Sequence, residues 1–334
     1  MVDKRWPIAQ SGGNFGISAN MQELLCYLGQ ERVFEDASRI LKKLTGVDVN
    51  AKQIERVCHY YGEALETYTT SDKYQSPLYA EIARQSPVKD ADKKYYILVD
   101  GSMVFTREEQ WKEVKLGRIF RSDKRVDRVG VNRNMITSSQ YVAHLGNHNE
   151  FWDKMEVHIE AIPKKRRVFL CDGASWIWNR VEDSHGESIQ IVDFFHAKEH
   201  LSILVSPVFK NKEEQKKKWL SEQEQLLFED NIEEIKNELK RLMKIHPSLK
   251  SSINREINYF SKHAHRMQYG TFRKSGLLIG SGPIESAHRK VVQQRLKLSG
   301  QRWTMTGLQT IVTLRAAYLS GEWDKVFSLI KNSR

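Results

Sequence analysis

Three acidic residues of this sequence stand where rigid secondary structure would hold a carboxylate in place. Asp100 follows the apolar run YYILV, Asp172 follows the apolar run RVFLC, and Glu285 follows the segment GSGPI. Both runs are typical of buried β-strands, and Pro283 suits the first position of a helix that would carry Glu285 in its first turn. Carboxylates that meet from separate elements repel one another, so they either titrate upward or bind a cation.

The chemistry open to such a group is metal-dependent attack on a phosphodiester. Carboxylate oxygens suit Mg²⁺, which keeps waters that substrate can replace. Two such ions about 3.5–4 Å apart can activate an attacking hydroxyl and stabilise the leaving oxygen. The chain carries a net charge of +11, and excess cation of this kind is typical of proteins that bind a polyanion. The combination favours an enzyme that cuts nucleic acid.

Each acid also has an ordinary structural explanation. Asp-Gly after a strand is common in hairpin turns, which would account for Asp100 and Asp172 separately. A glutamate in the first turn of a helix, such as Glu285, is favoured by the helix dipole. Asp193 ends the strand-like run SIQIVD and is an alternative second acid, although Asp172 is preferred because glycine follows it.

The N-terminal region is predicted to be helical. Residues 1–16 are polar and Gly-rich and are expected to be poorly ordered. Gly29 and Gly46 would end the first two helices, and Asn50 would cap the third. The pattern matches a helix-turn-helix module, and a plain three-helix bundle is the alternative.

The composition and hydrophobic pattern of the rest of the chain predict a linker, an α/β part and a helical part. Strands are predicted at 95–100, 103–107, 113–121, 167–173 and 188–195, with a helix over 147–162. Strands that alternate with helices predict an α/β fold with a mixed sheet. The predicted domains are a helical DNA-binding module (1–70), a linker (71–94), a catalytic core (95–201 and 276–334) and an α-helical insertion (202–275).

Several other functional classes have little support in the sequence. Cys26, Cys58 and Cys171 form no CxxC pair, which argues against a cysteine-based zinc site. His196 and His200 share a helix face at i, i+4, but HAKEH lacks the HExxH order of metalloproteases. No apolar run approaches the length of a membrane span, so we expect no membrane partner. Acids that lie amid Lys and Arg, without an aromatic sugar cleft, make a glycosidase a weak alternative.

The segments ILVDGSMV, RVFLCDGASWIWN, VDFFHAKEHL and GSGPIESAHRKVVQQRLKLSGQRW, in this order, resemble the DDE transposases of bacterial insertion sequences. The resemblance is nearest to the ISKra group and more distant to Mutator-like transposases. It implies an RNase H-like catalytic core with an α-helical insertion, and it places the catalytic and metal-binding triad on Asp100, Asp172 and Glu285. It also implies two Mg²⁺ or Mn²⁺ ions, and it matches His196 to a position where relatives carry a histidine.

The implied function is DNA transposition, by metal-dependent cleavage of element ends and strand transfer into target DNA. The expected partners are double-stranded DNA and further copies of the chain, as a dimer on DNA, in the bacterial cytoplasm near the nucleoid. Basic residues after Glu285 are expected to grip phosphates together with His196; they are Arg289, Lys290, Arg295, Lys297 and Arg302. An RNase H-like nuclease without strand transfer, or a non-catalytic DNA-binding remnant, is the alternative.

Overall fold

The computed structural model describes residues 15–86, 88–127 and 134–333. The expectation of a poorly ordered N-terminus therefore falls mostly on residues outside these ranges. The described residues of Met1–Lys93, Asp100–Pro163 and Ile284–Arg334 form one compact unit, which we call unit 1. Lys94–Val99 and Lys164–Pro283 form unit 2. Within the described ranges, the helices all lack the combination of length and apolar character that a bilayer-crossing segment needs.

The secondary structure is mainly helical. In chain order the helices are α1 (Ala19–Glu31), α2 (Phe34–Thr45), α3 (Ala51–Thr69), α4 (Pro77–Ala83), α5 (His148–Ile159), α6 (Ser175–His185), α7 (Phe194–Val205), α8 (Glu213–Phe228), α9 (Ile232–Ile245), α10 (Lys250–His263), α11 (Tyr269–Lys274), α12 (Gly282–Ala287), α13 (Gln294–Leu296), α14 (Met305–Leu319) and α15 (Trp323–Asn332). The strands are β1 (Tyr95–Thr106), β2 (Gln110–Arg121), β3 (Arg125–Asp127), β4 (Asn134–Ile136), β5 (Gln140–Leu145), β6 (Arg167–Cys171) and β7 (Ile189–Val192). A π-helical segment, His288–Gln293, joins α12 to α13.

Five strands form one mixed sheet in the order β5-β2-β1-β6-β7. β6 pairs in parallel with both β1 and β7, whereas β2 and β5 pair antiparallel. β3 and β4 form a separate antiparallel pair. The predicted α/β class with a mixed sheet is therefore confirmed.

The strand predictions were partly wrong. The two strands predicted at 95–100 and 103–107 are a single strand, because β1 continues through Asp100 and Gly101 to Thr106. The hairpin-turn explanation of Asp100 is therefore wrong. β5 was not predicted, although all of its residues are buried.

The three N-terminal helices are confirmed, with one difference at Gly29. The Asn50 side chain accepts from the backbone N–H of Gln53 at 2.8 Å and caps α3 as predicted. Gly46 ends α2 with φ 74°. Gly29, however, lies inside α1, where an added Cβ would come within 2.4 Å of Cys58 Sγ. Glycine at this position allows α1 to pack closely on α3. It does not end the helix, contrary to the prediction from the sequence.

The N-terminal helices share one hydrophobic core with the C-terminal helices of unit 1. An added Cβ at Gly62 on α3 would lie 2.6 Å from Thr310 Cβ on α14. Buried Arg315 of α14 donates from Nη1 to the carbonyl of Gln30 at 2.6 Å and from Nε to that of Val291 at 3.0 Å. The C-terminal helices therefore stabilise α1 to α3 directly. That these helices bind DNA stays a prediction.

Unit 2 is organised around its helices. The region 202–275 is helical as predicted, through α8, α9, α10 and α11. Arg266 is fully buried, with its guanidinium 4.3 Å from the ring centre of Trp178. It is neutralised by Glu182 and donates to Gln190 Oε1 at 2.8 Å. Through a buried guanidinium and an exposed Glu182 carboxylate, these contacts tie the 3-10 turn that follows α10 to α6 and β7.

Candidate active site

Asp100 lies inside β1, at the point where the strand changes from fully buried to partly exposed residues. Its Oδ1 accepts from the backbone N–H of Gly101 at 2.7 Å. An added Cβ at Gly101 would come within 2.1 Å of Glu113 Oε1 on β2. Glycine after Asp100 therefore leaves room for a second carboxylate, that of Glu113. The sequence did not indicate Glu113, because no sequence pattern relates position 113 to position 101.

Glu285 is brought near Asp100 by the helix that carries it. His288, one turn after Glu285, is 4% exposed, and its Nε2 lies 3.3 Å from Asp100 Oδ2. Neither ring nitrogen of His288 makes a hydrogen bond to the described residues. Because residues three apart share a helix face, Glu285 stands about 4.5 Å along the axis from the residue that contacts Asp100. The first and third predicted acids are thus linked within unit 1.

The helix geometry changes at this contact. The α-helical turn that contains Glu285 passes into π-helix at His288. π-Helical segments are rare and occur frequently at functional sites. Glu285 itself is exposed, whereas His288 is buried.

Asp172 stands at the end of β6 in unit 2. Its Oδ1 accepts from the backbone N–H of Ala174 at 2.9 Å, and its carbonyl accepts from Trp178 Nε1 at 2.5 Å. An added Cβ at Gly173 would lie 2.6 Å from Cε2 of Tyr259, so the phenol ring covers this turn. Burial raises the pKa of Tyr259, and the negative charges of Asp172, Glu256 and Asp193 raise it further. Asp172 therefore faces a protonated, buried phenol.

The rival acid, Asp193, has a structural role. It is 5% exposed and caps α7, where Oδ2 accepts from the backbone N–H of His196 at 3.1 Å and Oδ1 from that of Phe195 at 3.4 Å. Its Oδ1 also accepts from the backbone N–H of Ser281 at 2.9 Å. Three backbone donors thus engage both carboxylate oxygens, which is the pattern of a helix cap.

His196 and His200 share one face of α7, as their spacing predicts. Their Nε2 atoms lie 3.2 Å apart, and His200 Nδ1 lies 2.6 Å from Glu256 Oε2. The His200 ring stacks on Tyr259 with a centroid distance of 4.0 Å. The position of the His196 ring is therefore set by His200, its predicted neighbour, and through it by Glu256, which the sequence did not single out.

The basic residues predicted to grip DNA fall into two groups. Four are exposed: Arg289, Lys290, Lys297 and Arg302. Lys297 Nζ lies 3.3 Å from Ser102 Oγ, two residues along β1 from Asp100. Arg295, by contrast, is 1% exposed and donates to the carbonyl of Gly29 at 3.0 Å.

The described residues hold no group of three or more His, Cys, Asp and Glu side chains arranged to hold a metal ion.

Comparison with known proteins adds a family assignment. No curated protein shows significant sequence similarity to the chain. The profile of an uncharacterised protein family, UPF0236, matches residues 65–330. This match spans both units and includes Asp100, Asp172, Glu285 and His288, and the chain belongs to the UPF0236 family.

Proposed function

We propose that the chain is a DNA transposase that uses Asp100, Asp172 and Glu285 as its catalytic acids. The observation that carries the proposal is the contact of Asp100 with His288, which joins the acid of β1 to the helix of Glu285. The UPF0236 family is associated with transposase-like proteins of insertion sequences. That association supports the resemblance read from the sequence, although no particular insertion-sequence group follows from it.

The sheet supports an RNase H-like core. When its five strands are numbered in chain order, their order in the sheet is 3-2-1-4-5, which is typical of RNase H-like folds. Tyr95 pairs with Arg167 and Ile97 with Phe169 in parallel. Asp100 and Asp172 each come three residues after this last pair in the parallel register, although β1 continues through Asp100 and β6 ends at Cys171.

The donor chemistry fits a divalent cation. All three proposed ligands are carboxylates, the ligands that Mg²⁺ and Mn²⁺ prefer. Carboxylates repel one another unless a cation binds between them, so the three acids would need a divalent ion to act together. When bound, the ions would supply Lewis-acid stabilisation of the phosphodiester oxygens.

The side chains of the protein would position the DNA and the acids. His288 places a buried ring nitrogen 3.3 Å from the Asp100 carboxylate, on the helix that follows Glu285. Lys297 lies beside Ser102 on β1 and is exposed, so it can contact a phosphate next to the scissile bond. Arg289 and Lys290 add exposed positive charge on the π-helical segment that precedes α13. His196, held by His200, would contact DNA from α7.

The experiment is a cleavage assay on DNA fragments that carry the genomic sequence on either side of the coding region. We expect Mg²⁺-dependent cleavage to leave a 3′-OH, and pre-cut ends to be joined to target DNA. Asp100→Ala should lose cleavage and joining but still shift end DNA in a gel. Asp153→Asn, at an exposed position of α5, is the charge-matched control and should remain active.

The outcomes separate the alternatives. Cleavage without joining of pre-cut ends would indicate a nuclease. Equal DNA binding with and without Mg²⁺, together with no cleavage by the unaltered protein, would indicate a non-catalytic remnant. Unchanged cleavage by Asp100→Ala would contradict the assignment of the triad.

A further inference from the structure

A separate pocket in unit 1 is lined by three arginines and several aromatic side chains. Its volume is about 320 Å³, and its walls include Arg107, Arg295, Arg302, Phe34, His59 and Trp303. Ligand pockets typically have volumes of this size or larger. The pocket is formed by the start of α2, by α3, and by the segment that follows α13.

The central feature of this pocket, which we call the arginine pocket, is a buried cation that lacks a carboxylate. Arg295 is 1% exposed, and its guanidinium lies between the rings of Phe34 and Trp303 at 4.9 and 4.8 Å. Among the described residues it has no carboxylate within ion-pair distance, and its Nη2 has no hydrogen-bond partner. Burial lowers the pKa of Arg295 to about 10, so it stays charged at neutral pH. A buried, unpaired charge is costly, and the negative charge of a ligand bound in the same pocket would offset that cost without a direct hydrogen bond to Arg295.

Two exposed arginines add to the positive charge. Arg107 Nε donates to the carbonyl of Arg302 at 3.2 Å, and the Arg302 guanidinium lies 6.0 Å from the ring centre of Phe105. In the described part of the chain neither makes an ion pair with an acid. Guanidinium groups with free donors suit phosphate, which they can bind through two parallel hydrogen bonds.

The remaining walls suit a nucleobase better than a bare anion. Phe34 and His59 are only partly buried, and aromatic rings of this kind stack on bases of any sequence. Glu35, Glu55 and Gln301 also line the pocket, and their oxygens can accept from the amino groups of a base. A nucleotide offers a phosphate, a flat ring, donors and acceptors together, so it matches each part of the wall.

We propose that the arginine pocket binds one unpaired nucleotide of a DNA strand. Its phosphate would lie on Arg107 and Arg302, and its base against the wall formed by Phe34 and His59. The choice of a DNA strand as the source of the nucleotide rests on the proposed function.

The location of the pocket relates it to the proposed catalytic acids. Arg107 N donates to the carbonyl of Trp303 at 2.8 Å, so the pocket abuts the end of β1. Arg107 follows Asp100 by seven residues, and because β1 is a continuous strand through Thr106, those residues span about 23 Å. A DNA strand advances about 3.4 Å per nucleotide. The pocket would therefore hold a nucleotide several positions from the cleavage site, and not the scissile one.

The experiment measures binding by the full chain in EDTA, where cleavage cannot occur. The fluorescent probes are a single-stranded oligonucleotide, the perfect duplex, and that duplex with one bulged nucleotide. The double variant Arg107→Gln/Arg302→Gln should bind the single strand and the bulged duplex about tenfold more weakly, with a much smaller change for the perfect duplex. Phe34→Leu should show the same selectivity. Arg56→Gln, at an exposed position of α3 outside the pocket, is the charge-matched control and should bind all probes normally.

Three results would overturn the proposal. Equal weakening for all three probes, or no weakening, would show that the arginines do not recognise an unpaired nucleotide. Deoxyguanosine monophosphate is the competitor that distinguishes the sources. Its displacement of the single strand at a concentration near the Kd of that strand would assign the pocket to free nucleotides. Since the readout needs no cleavage, failure of the catalytic proposal would leave this result interpretable.

Discussion

His288 Nε2 and Asp100 Oδ2 lie 3.3 Å apart, which joins the interior of β1 to the helix of Glu285. His288 is buried, and neither of its ring nitrogens makes a hydrogen bond to the described residues. A buried polar ring without hydrogen bonds is unfavourable unless another group compensates. We infer that the nearby Asp100 carboxylate compensates the ring, and that the ring in turn restricts the position of that carboxylate.

Replacement of His288 should affect metal use more than folding. In His288→Leu the Asp100 carboxylate loses its neighbour, and we expect cleavage to fall about 10- to 100-fold, as for residues that orient metal ligands. The measurement is the Mg²⁺ concentration that gives half-maximal cleavage, which should rise. A variant with lower activity, an unchanged Mg²⁺ requirement and a lower Tm would instead indicate a packing role alone.

Replacement of Asp172 should abolish cleavage, whereas replacement of Asp193 should lower the stability of the protein. Asp172→Asn should abolish cleavage with little change in Tm, because the amide keeps an oxygen acceptor for the Ala174 N–H. Asp193→Ala should destabilise the protein by about 1–2 kcal/mol, the usual cost of losing a helix N-cap. Urea unfolding and cleavage per folded molecule measure the two effects. Cleavage by Asp172→Asn at the normal rate, with loss of activity in folded Asp193→Ala, would reverse the assignment.

Close packing of α3 on α14 should make Gly62 intolerant of any side chain. An added Cβ would lie 2.7 Å from the backbone oxygen of Thr310, which cannot move independently of its helix. We expect Gly62→Ala to lower the free energy of unfolding by about 1–3 kcal/mol. Gly186→Ala is the control, since its Cβ would meet its nearest neighbour at an ordinary 3.5 Å. A stable Gly62→Ala protein would show that α3 is not fixed to the C-terminal helices.

Acid should destabilise unit 1 through His158. Burial, with a further contribution from the Lys325 charge, lowers the pKa of His158 from 6.5 to about 3. Between pH 6.5 and 3 the unfolded chain therefore binds a proton that the folded chain does not. This group should lower the free energy of unfolding by about 1.4 kcal/mol per pH unit through that window, with no effect above it. His158→Gln should reduce the slope measured by urea titration, and an identical slope would contradict the prediction.

The sequence predicted those features that short-range patterns determine. Helices α1 to α3, the Asn50 cap and the core of β1 follow from periodicity and capping. β5 was missed because QYVAHL is short and mixes polar with apolar residues. Its buried polar side chains find hydrogen-bond partners only in residues distant in sequence. Gln140 Nε2, for example, donates to Glu322 Oε2 at 2.5 Å.

The candidate site shows the same limit. Asp-Gly at position 100 looks locally like a turn, yet β1 lies between β2 and β6 in the sheet and continues past it. The burial of Arg295 could not be predicted, since its neighbours Phe34 and Gly29 are more than 260 positions away in the chain. The three acids could be picked out from the sequence. The residues beside them, His288 near Asp100 and Tyr259 near the turn after Asp172, could be identified only from the fold.

The central claim is that Asp100, Asp172 and Glu285 together bind divalent metal. Anomalous diffraction from crystals grown with Mn²⁺ tests it most directly, with Asp172→Asn as the matched variant. We predict Mn²⁺ density in contact with all three carboxylates, and weaker density in the variant. Well-ordered crystals in which Mn²⁺ is bound elsewhere, or in which these carboxylates stay apart at saturating Mn²⁺, would contradict the account.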